Sequence, residues 1–173
     1  LYTSDALEFV GEYFIREPYG ESSYKVRTSY GAEIGKYSYV KAYGDRLLCF
    51  GNNKYYLYDR YANLLGEYDT KPKISEYNGN MVLKNDDGTY TCYDRDMNVL
   101  LTTKYDIQPI ENGYCSFADN EKGKIGFLFA DGKTAIEPKY DCVTKMTPDG
   151  YFVSKTISHS EITYDTTEIN YTV

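Results

Sequence analysis

The sequence predicts an all-β protein built from repeats of about 35 residues. Three observations support this fold class: three residue markers recur along the chain, short alternating stretches typical of strands occur in each repeat, and turn-forming residues separate those stretches. The 173 residues accommodate five such repeats. We therefore expect a small five-bladed β-propeller closed by both termini, with an open β-hairpin array, or solenoid, as the alternative.

The three markers are two aromatic positions and one glycine position. The first is an aromatic residue that closes an alternating stretch, at Tyr30, Tyr58, Tyr93, Phe129 and Tyr164. The second is a tyrosine, at Tyr37, Tyr68, Tyr105, Tyr140 and Tyr171. The third is a glycine that precedes a short apolar run, at Gly11, Gly44, Gly79, Gly113 and Gly150. Because three interleaved series of five members are hard to obtain by accident, they indicate internal repeats.

Each repeat contains the elements of a small antiparallel sheet. Residues 54–58 form a predicted strand in which Tyr and Leu supply packing surface on both faces. The Asp, Asn and Gly residues at 94–98 and 131–133 predict turns between antiparallel strands. Prolines near the second marker mark strand ends or edges, at Pro72, Pro109 and Pro138. The glycine marker then introduces the last strand, as at residues 150–154.

The two ends of the chain complement each other. The repeats extend approximately over residues 20–51, 52–85, 86–120 and 121–156, with a composite fifth repeat from 157–173 and 1–19. The C-terminus supplies the first two markers of that repeat, and the N-terminus supplies its glycine marker. An open array would leave these halves as unpaired edges, whereas a ring joins them. We therefore expect a single repeat domain over residues 1–173.

One segment resembles a known repeat family. The matching residues are Gly123, Lys124, Gly126, Phe127, Leu128, Gly132, Ile136, Pro138, Lys139, Tyr140 and Asp141. They resemble the bacterial WG repeat, whose pattern is Gly-Lys-Trp-Gly-aromatic-Ile, a glycine-containing turn and Val/Ile-Pro-Lys-Tyr-Asp. Ile125 stands where the family has its tryptophan, so the chain is similar to a diverged member. The resemblance implies an all-β bacterial repeat domain that binds other molecules, with no catalytic residues to carry over.

Charge and composition disfavour two classes of partner. The 19 Lys and Arg residues are outnumbered by 26 Asp and Glu residues, which gives a net charge of −7. This sign disfavours nucleic acid and anionic membrane surfaces, and no apolar run approaches the roughly 18 residues of a membrane span. The chain opens with Leu1 rather than Met, which is typical of part of a longer, processed product. Together with the resemblance, this favours an extracytoplasmic protein, secreted or at the cell surface.

The cysteines predict no metal site, and we expect no cofactor. The four residues Cys49, Cys92, Cys115 and Cys142 are widely spaced and match no common zinc-binding pattern. Each has apolar or aromatic neighbours, so we expect buried free thiols, while the even number leaves disulfides open.

The tyrosine excess supplies the candidate ligand-binding residues. The chain has 22 Tyr, and two repeats place a tyrosine directly before an aspartate, Tyr58 before Asp59 and Tyr93 before Asp94. An exposed aromatic face stacks on a sugar ring, and an adjacent carboxylate accepts hydrogen bonds from hydroxyl groups. The alternative is structural, because aromatic residues that recur at equivalent repeat positions fill the space between small blades.

Asp94, Asp96 and Asn98 form a weak candidate for a calcium site. Oxygen ligands at alternate positions are typical of the first half of a calcium-binding loop. Val99, however, replaces the glycine of the sharp bend, and the sister loop at 59–63 has a tyrosine in its middle position. A turn-forming role for Asp and Asn explains both loops.

These observations lead to three functional hypotheses. The first is a non-enzymatic binding or scaffold domain whose partner is an unidentified protein or glycan. The second is a carbohydrate-binding, lectin-like propeller. The third and least favoured is a glycoside hydrolase, because repeats of about 35 residues leave little loop length for a deep catalytic cleft.

Overall fold

The structure is a computed structural model that describes residues 7–119, 121, 123–143, 153–158 and 161–165. The chain packs as two compact units, residues 1–79 and 80–173. The described residues form strands and turns with no helix, and accordingly none of them belongs to a helix that could span a membrane. The strand pairings described below within each sheet are antiparallel.

The first unit contains two four-stranded sheets. The first sheet consists of β1 (Glu8–Val10), β2 (Phe14–Tyr19), β3 (Ser23–Thr28) and β4 (Glu33–Tyr37). The second sheet consists of β5 (Tyr39–Tyr43), β6 (Arg46–Gly51), β7 (Lys54–Asp59) and β8 (Leu64–Tyr68). In both sheets, strands that follow each other in the chain are neighbours, and the short strand β9 (Lys73–Ile74) comes next.

The second unit continues the same up-and-down topology. The third sheet contains β10 (Met81–Lys84), β11 (Tyr90–Tyr93) and β12 (Val99–Thr103). The fourth contains β13 (Asp106–Ile107), β14 (Tyr114–Asp119), β15 (Lys124–Phe129) and β16 (Thr134–Tyr140). The fifth contains β17 (Cys142–Val143), β18 (Val153–Ser158) and β19 (Glu161–Asp165).

The turn before the last strand has the same backbone hydrogen bond in the first four sheets. In each one, a backbone N–H bonds to the carbonyl oxygen four residues later, from Thr28 to Ala32, Asp59 to Asn63, Asp94 to Asn98 and Phe129 to Lys133. The fourth residue of each turn has a positive φ: Gly31, Ala62, Met97 and Gly132. Two of these four are not glycine, so side-chain hydrogen bonds within the turn help to hold that backbone conformation.

Each unit has its own hydrophobic core between neighbouring sheets. In the first unit, buried side chains of the first sheet cluster with those of the second, namely Phe14, Val26, Tyr37, Val40, Leu47 and Cys49. In the second unit, the core cluster is Val82, Cys92, Leu101, Ile107, Ile110, Cys115, Phe117 and Leu128. Apolar side chains on the inner face of successive sheets therefore exclude water between them, as sheet packing requires.

Three of the four cysteines lie in these cores as free thiols. Cys49, Cys92 and Cys115 are buried, as the sequence predicts. Burial raises the pKa of both Cys49 and Cys115 to about 12, so that each remains a neutral, small apolar side chain. Cys142 is the exception, because its side chain is exposed.

The predicted fold class is confirmed: the protein is all-β, and its sheets have the up-and-down form of propeller blades, with four strands each in the first, second and fourth sheets. The sheet borders differ from the predicted repeat borders. The strand that follows Gly11 pairs with β1 and β3, and the strand that contains Tyr164 pairs with β18. The part of the predicted composite repeat at residues 166–173, with Tyr171, lies outside the described residues. Closure into a ring stays a prediction.

The reason for the different borders is the turn at the glycine marker. Only Gly44 and Asp45 separate β5 from β6, so these two strands must fold back on each other as a hairpin. A glycine that marks the start of a strand therefore lies inside a sheet and not at its border. Tyr30 does not occupy the strand position of the first aromatic marker. It lies in the turn after β3, and Arg27 is at the position that matches Tyr58.

Candidate functional site

The structure gives Asp59 a role in the turn after β7. Its Oδ1 accepts hydrogen bonds from the backbone N–H groups of Tyr61 and Asn63, both at 2.8 Å. Its Oδ2 accepts a hydrogen bond from the Asn63 side-chain amide at 2.8 Å. Partial burial acts against the charged form, but these hydrogen bonds outweigh it and lower the pKa of Asp59. The carboxylate is therefore ionised and serves to hold the turn.

Asp94 repeats this arrangement in the second unit. Its Oδ1 accepts from the backbone N–H groups of Asp96 and Asn98 at 2.8 Å, and its Oδ2 accepts from the Asn98 side-chain amide at 2.9 Å. The structure thus brings the candidate calcium ligands Asp94 and Asn98 together. The contact between them is a hydrogen bond from the Asn98 amide to the Asp94 carboxylate. No group of three or more His, Cys, Asp or Glu side chains suited to a metal ion occurs among the residues that the structure describes.

We expect Asp94→Ala to destabilise the protein by about 1–2 kcal/mol, because it removes the acceptor of three N–H donors in a turn, as the loss of a helix cap does. Asp96→Ala is the matched control, since Asp96 contributes its backbone N–H to this network. Thermal unfolding should give identical midpoints in calcium and in EDTA. A calcium-dependent rise of the midpoint that Asp96→Ala abolishes would instead establish a calcium site.

The tyrosines of the predicted pairs are half-buried. The Tyr58 hydroxyl lies 2.5 Å from the Tyr37 hydroxyl, and either oxygen can donate the hydrogen bond. Burial raises the pKa of Tyr58 above its ordinary value. Tyr93 lies on β11, paired in register with Met81 and Val99. The four predicted ligand residues therefore form two separate turn-and-strand pairs, one in each unit, and the Tyr58 hydroxyl already has a protein partner.

A pocket on the first sheet was not predicted from the sequence. It has a volume of about 170 Å³ and is lined by Ile15, Glu17, Lys25, Arg27, Glu33 and Lys36, among other residues. We call it the first-sheet pocket. Its side chains meet because Ile15 pairs in register with Arg27, Glu17 with Lys25, Lys25 with Lys36 and Arg27 with Glu33. Three cations and two carboxylates thus share one small concave surface.

Tyr19 lies beside this pocket and organises its lysines. The Lys36 Nζ lies 3.8 Å from the centroid of the Tyr19 ring, and the Lys25 Nζ lies 5.3 Å from it. Lys25 also forms an ion pair with Glu17 at 3.7 Å. The hydrogen bond and charge of Lys36 lower the pKa of Tyr19. Because the ring and Glu17 offset part of the repulsion between the two lysines, both ammonium groups are held at the edge of the pocket.

The polar character of this face distinguishes the first sheet from the second. The register aligns four positions of the first sheet with four of the second. In the first sheet these positions hold Ile15, Glu17, Lys25 and Arg27. In the second sheet they hold Leu47, Cys49, Tyr56 and Tyr58, which belong to the core or pack against it. The signal for this site is the presence of charged residues at positions that are apolar or aromatic in the second sheet, and the strand register is needed to recognise it.

No family model and no curated protein matches the chain, but solved structures do. KlHsv2 with loop 6CD replaced by a Gly-Ser linker is similar with a TM-score of 0.50 at 10% identity, over 88% of this chain and 57% of that one. BamB from Moraxella catarrhalis gives 0.44 at 12% identity, over 90% and 60%. The WD40 beta propeller domain of Doa1 gives 0.42 at 10% identity, over 82% and 57%. The chain thus spans less than two thirds of each, and at these identities the likeness bears on the fold alone.

Proposed function

We propose that the chain is a non-enzymatic binding domain of a repeat protein. The observation that carries this proposal is the first-sheet pocket. A sheet face that serves only for packing gains stability from apolar residues, as the second sheet shows with Leu47 and Cys49. The first sheet instead places five charged side chains around a concavity of about 170 Å³. A small number of converging polar groups over an apolar floor is typical of a ligand site.

A second candidate function, carbohydrate recognition, is supported by exposed tyrosines in the same unit. Tyr30, Tyr61 and Tyr77 are 70%, 59% and 54% exposed, respectively. The apolar body and polar tip of tyrosine suit a ligand that has both C–H faces and hydroxyl groups, as sugars do. Binding to saccharides on a glycan array tests whether the partner is a glycan.

The cellular context is part of the proposal. The segment that resembles the WG repeat, residues 123–141, favours a bacterial repeat protein at the surface or in the secreted fraction. The net charge of −7 makes nucleic acid and anionic membranes poor partners, since like charges repel at long range. The proposed partner is therefore a glycan or another protein.

We expect the protein to give a selective signal on a glycan array, with binding to some saccharides and none to most. Multivalent presentation on the array compensates for weak single-site affinity. The control is turnover of chromogenic glycosides by the same preparation, for which we expect no product. Absence of any array signal at high protein concentration removes the carbohydrate candidate, and release of chromophore contradicts the non-enzymatic proposal.

A further inference from the structure

The geometry points to the first-sheet pocket as a binding site for a carboxylate-bearing sugar, such as a hexuronate unit of an acidic saccharide. This inference rests on the proposed binding function and narrows its ligand. It starts from Arg27, which lines the pocket and is half-buried. Among the residues that the structure describes, its guanidinium group takes part in no ion pair or side-chain hydrogen bond. Partial burial of an unpaired cation is costly, and an anionic ligand relieves that cost.

The other cations of the pocket support an anionic group on the ligand. Lys25 and Lys36 lie directly opposite each other on β3 and β4. Like charges in this arrangement destabilise a sheet, and the ion pair of Lys25 with Glu17 is long, at 3.7 Å. A carboxylate bound between Arg27 and these lysines completes the charge balance. The guanidinium plane also offers two parallel N–H donors that match the two oxygens of a carboxylate.

The two carboxylates of the pocket favour a sugar over a simple oxyanion. Glu17 and Glu33 lower the local positive charge, which weakens the attraction for a sulfate or phosphate dianion. They accept hydrogen bonds, however, and sugar hydroxyls are donors. Ile15, half-buried in the same pocket, supplies an apolar contact for a C–H face of the ring. A ligand with a carboxylate, several hydroxyls and an apolar face uses all these groups.

The size of the pocket limits how much of the ligand it holds. Its volume of about 170 Å³ is below the roughly 300–1,000 Å³ of sites that enclose drug-sized ligands. We therefore assign it one acidic sugar unit, with the rest of the saccharide outside. The overall charge of −7 opposes the approach of a polyanion at long range, so recognition depends on these close contacts and not on steering.

The test is titration of the intact chain with short oligogalacturonates, and with galactose oligomers of equal length as neutral probes. Calorimetry gives the affinity, and NMR amide shifts give the location. We expect binding of the acidic oligomer to shift the amides of β2, β3 and β4. Arg27→Gln should weaken this binding by about tenfold or more. Arg16→Gln is the matched control, because Arg16 is a half-buried arginine of the same sheet that forms an ion pair with Glu8 and does not line the pocket. It should weaken binding by less than about twofold.

A second variant and the salt dependence show whether weaker binding of Arg27→Gln comes from the lost charge or from a destabilised fold. Lys36→Gln alters an exposed residue and should also weaken binding while the melting temperature stays unchanged. Added NaCl should weaken binding of the acidic oligomer and leave any binding of the neutral one unaffected.

The outcomes separate this inference from the proposed function. Equal, Arg27-independent binding of acidic and neutral oligomers overturns the inference but supports carbohydrate recognition. Arg27-dependent binding of a glutamate-rich peptide, without saccharide binding, overturns the acidic sugar and keeps a binding domain. No binding of any of these probes at millimolar concentration overturns the inference outright.

Discussion

Replacing Tyr37 with alanine should lower the free energy of unfolding by about 3–5 kcal/mol, the range for emptying a large aromatic core position. Tyr37 is only 9% exposed. Its ring centroid lies 5.7 Å from that of Tyr56 and 6.1 Å from that of Tyr58. The substitution opens a cavity between the first and second sheets and removes the hydroxyl that bonds to Tyr58 at 2.5 Å. Denaturant unfolding measures the loss as a lower midpoint.

Two controls separate packing from hydrogen bonding. Tyr37→Phe keeps the ring and loses only the hydroxyl, so we expect a cost of about 1 kcal/mol. Tyr30→Ala removes a ring that is 70% exposed, and its effect should stay within about 0.5 kcal/mol. If Tyr37→Ala costs no more than Tyr30→Ala, the second tyrosine marker does not serve packing and is available for recognition.

The pair of Tyr37 and Tyr58 lowers the stability of the protein as the pH becomes alkaline. Burial, and then the hydrogen bond to Tyr58, raises the pKa of Tyr37 well above its ordinary value of about 10. The unfolded chain therefore loses this proton first as the pH rises. The stability that the raised pKa of Tyr37 contributes is fully present below pH 10 and is lost progressively above it. Tyr37→Phe should reduce that alkaline loss.

The repeating part of the molecule is the part that the sequence could predict. A residue that recurs at equivalent positions serves a contact that also recurs, and Tyr37 and Tyr140 are accordingly buried, at 9% and 8% exposure. The all-β class and the turns around Asp59 and Asp94 follow from the same logic. The borders between sheets do not, because periodicity gives the repeat length and not the strand at which a repeat begins.

The candidate site was missed because its residues do not repeat. Glu17, Lys25 and Arg27 carry no periodic signal, and each taken alone is an ordinary charged residue of a sheet surface. Only the register, which places Arg27 beside Ile15 and Lys25 beside Glu17, brings them together. Conversely, Asp59 was a predicted ligand residue because the sequence does not show that its carboxylate already accepts hydrogen bonds from N–H groups of the turn.

Replacing Gly126 with alanine is expected to be as damaging as the loss of Tyr37, although it adds a single methyl group. A Cβ at this position would lie 2.7 Å from the Ile136 carbonyl oxygen and 2.7 Å from Cε1 of Phe117. The oxygen belongs to the backbone of β16, next to β15 in the fourth sheet, and Phe117 is 3% exposed. A backbone carbonyl moves only with its strand, and the Phe117 ring is packed against Tyr105 at 4.5 Å between centroids. We therefore expect a loss of about 3 kcal/mol, at the upper end for overpacking.

Gly66→Ala is the matched control, because Gly66 is also a strand glycine whose φ is not positive. Its added Cβ would meet the hydroxyl end of the Tyr68 ring, which is half-buried and belongs to the same strand. A ring end can rotate aside, whereas a backbone carbonyl moves only with its strand. Denaturant unfolding should therefore show a loss of at most about 1 kcal/mol for Gly66→Ala. Equal stability of Gly126→Ala and the unsubstituted protein would contradict the close approach of β16 and Phe117, and with it the packing of the fourth sheet.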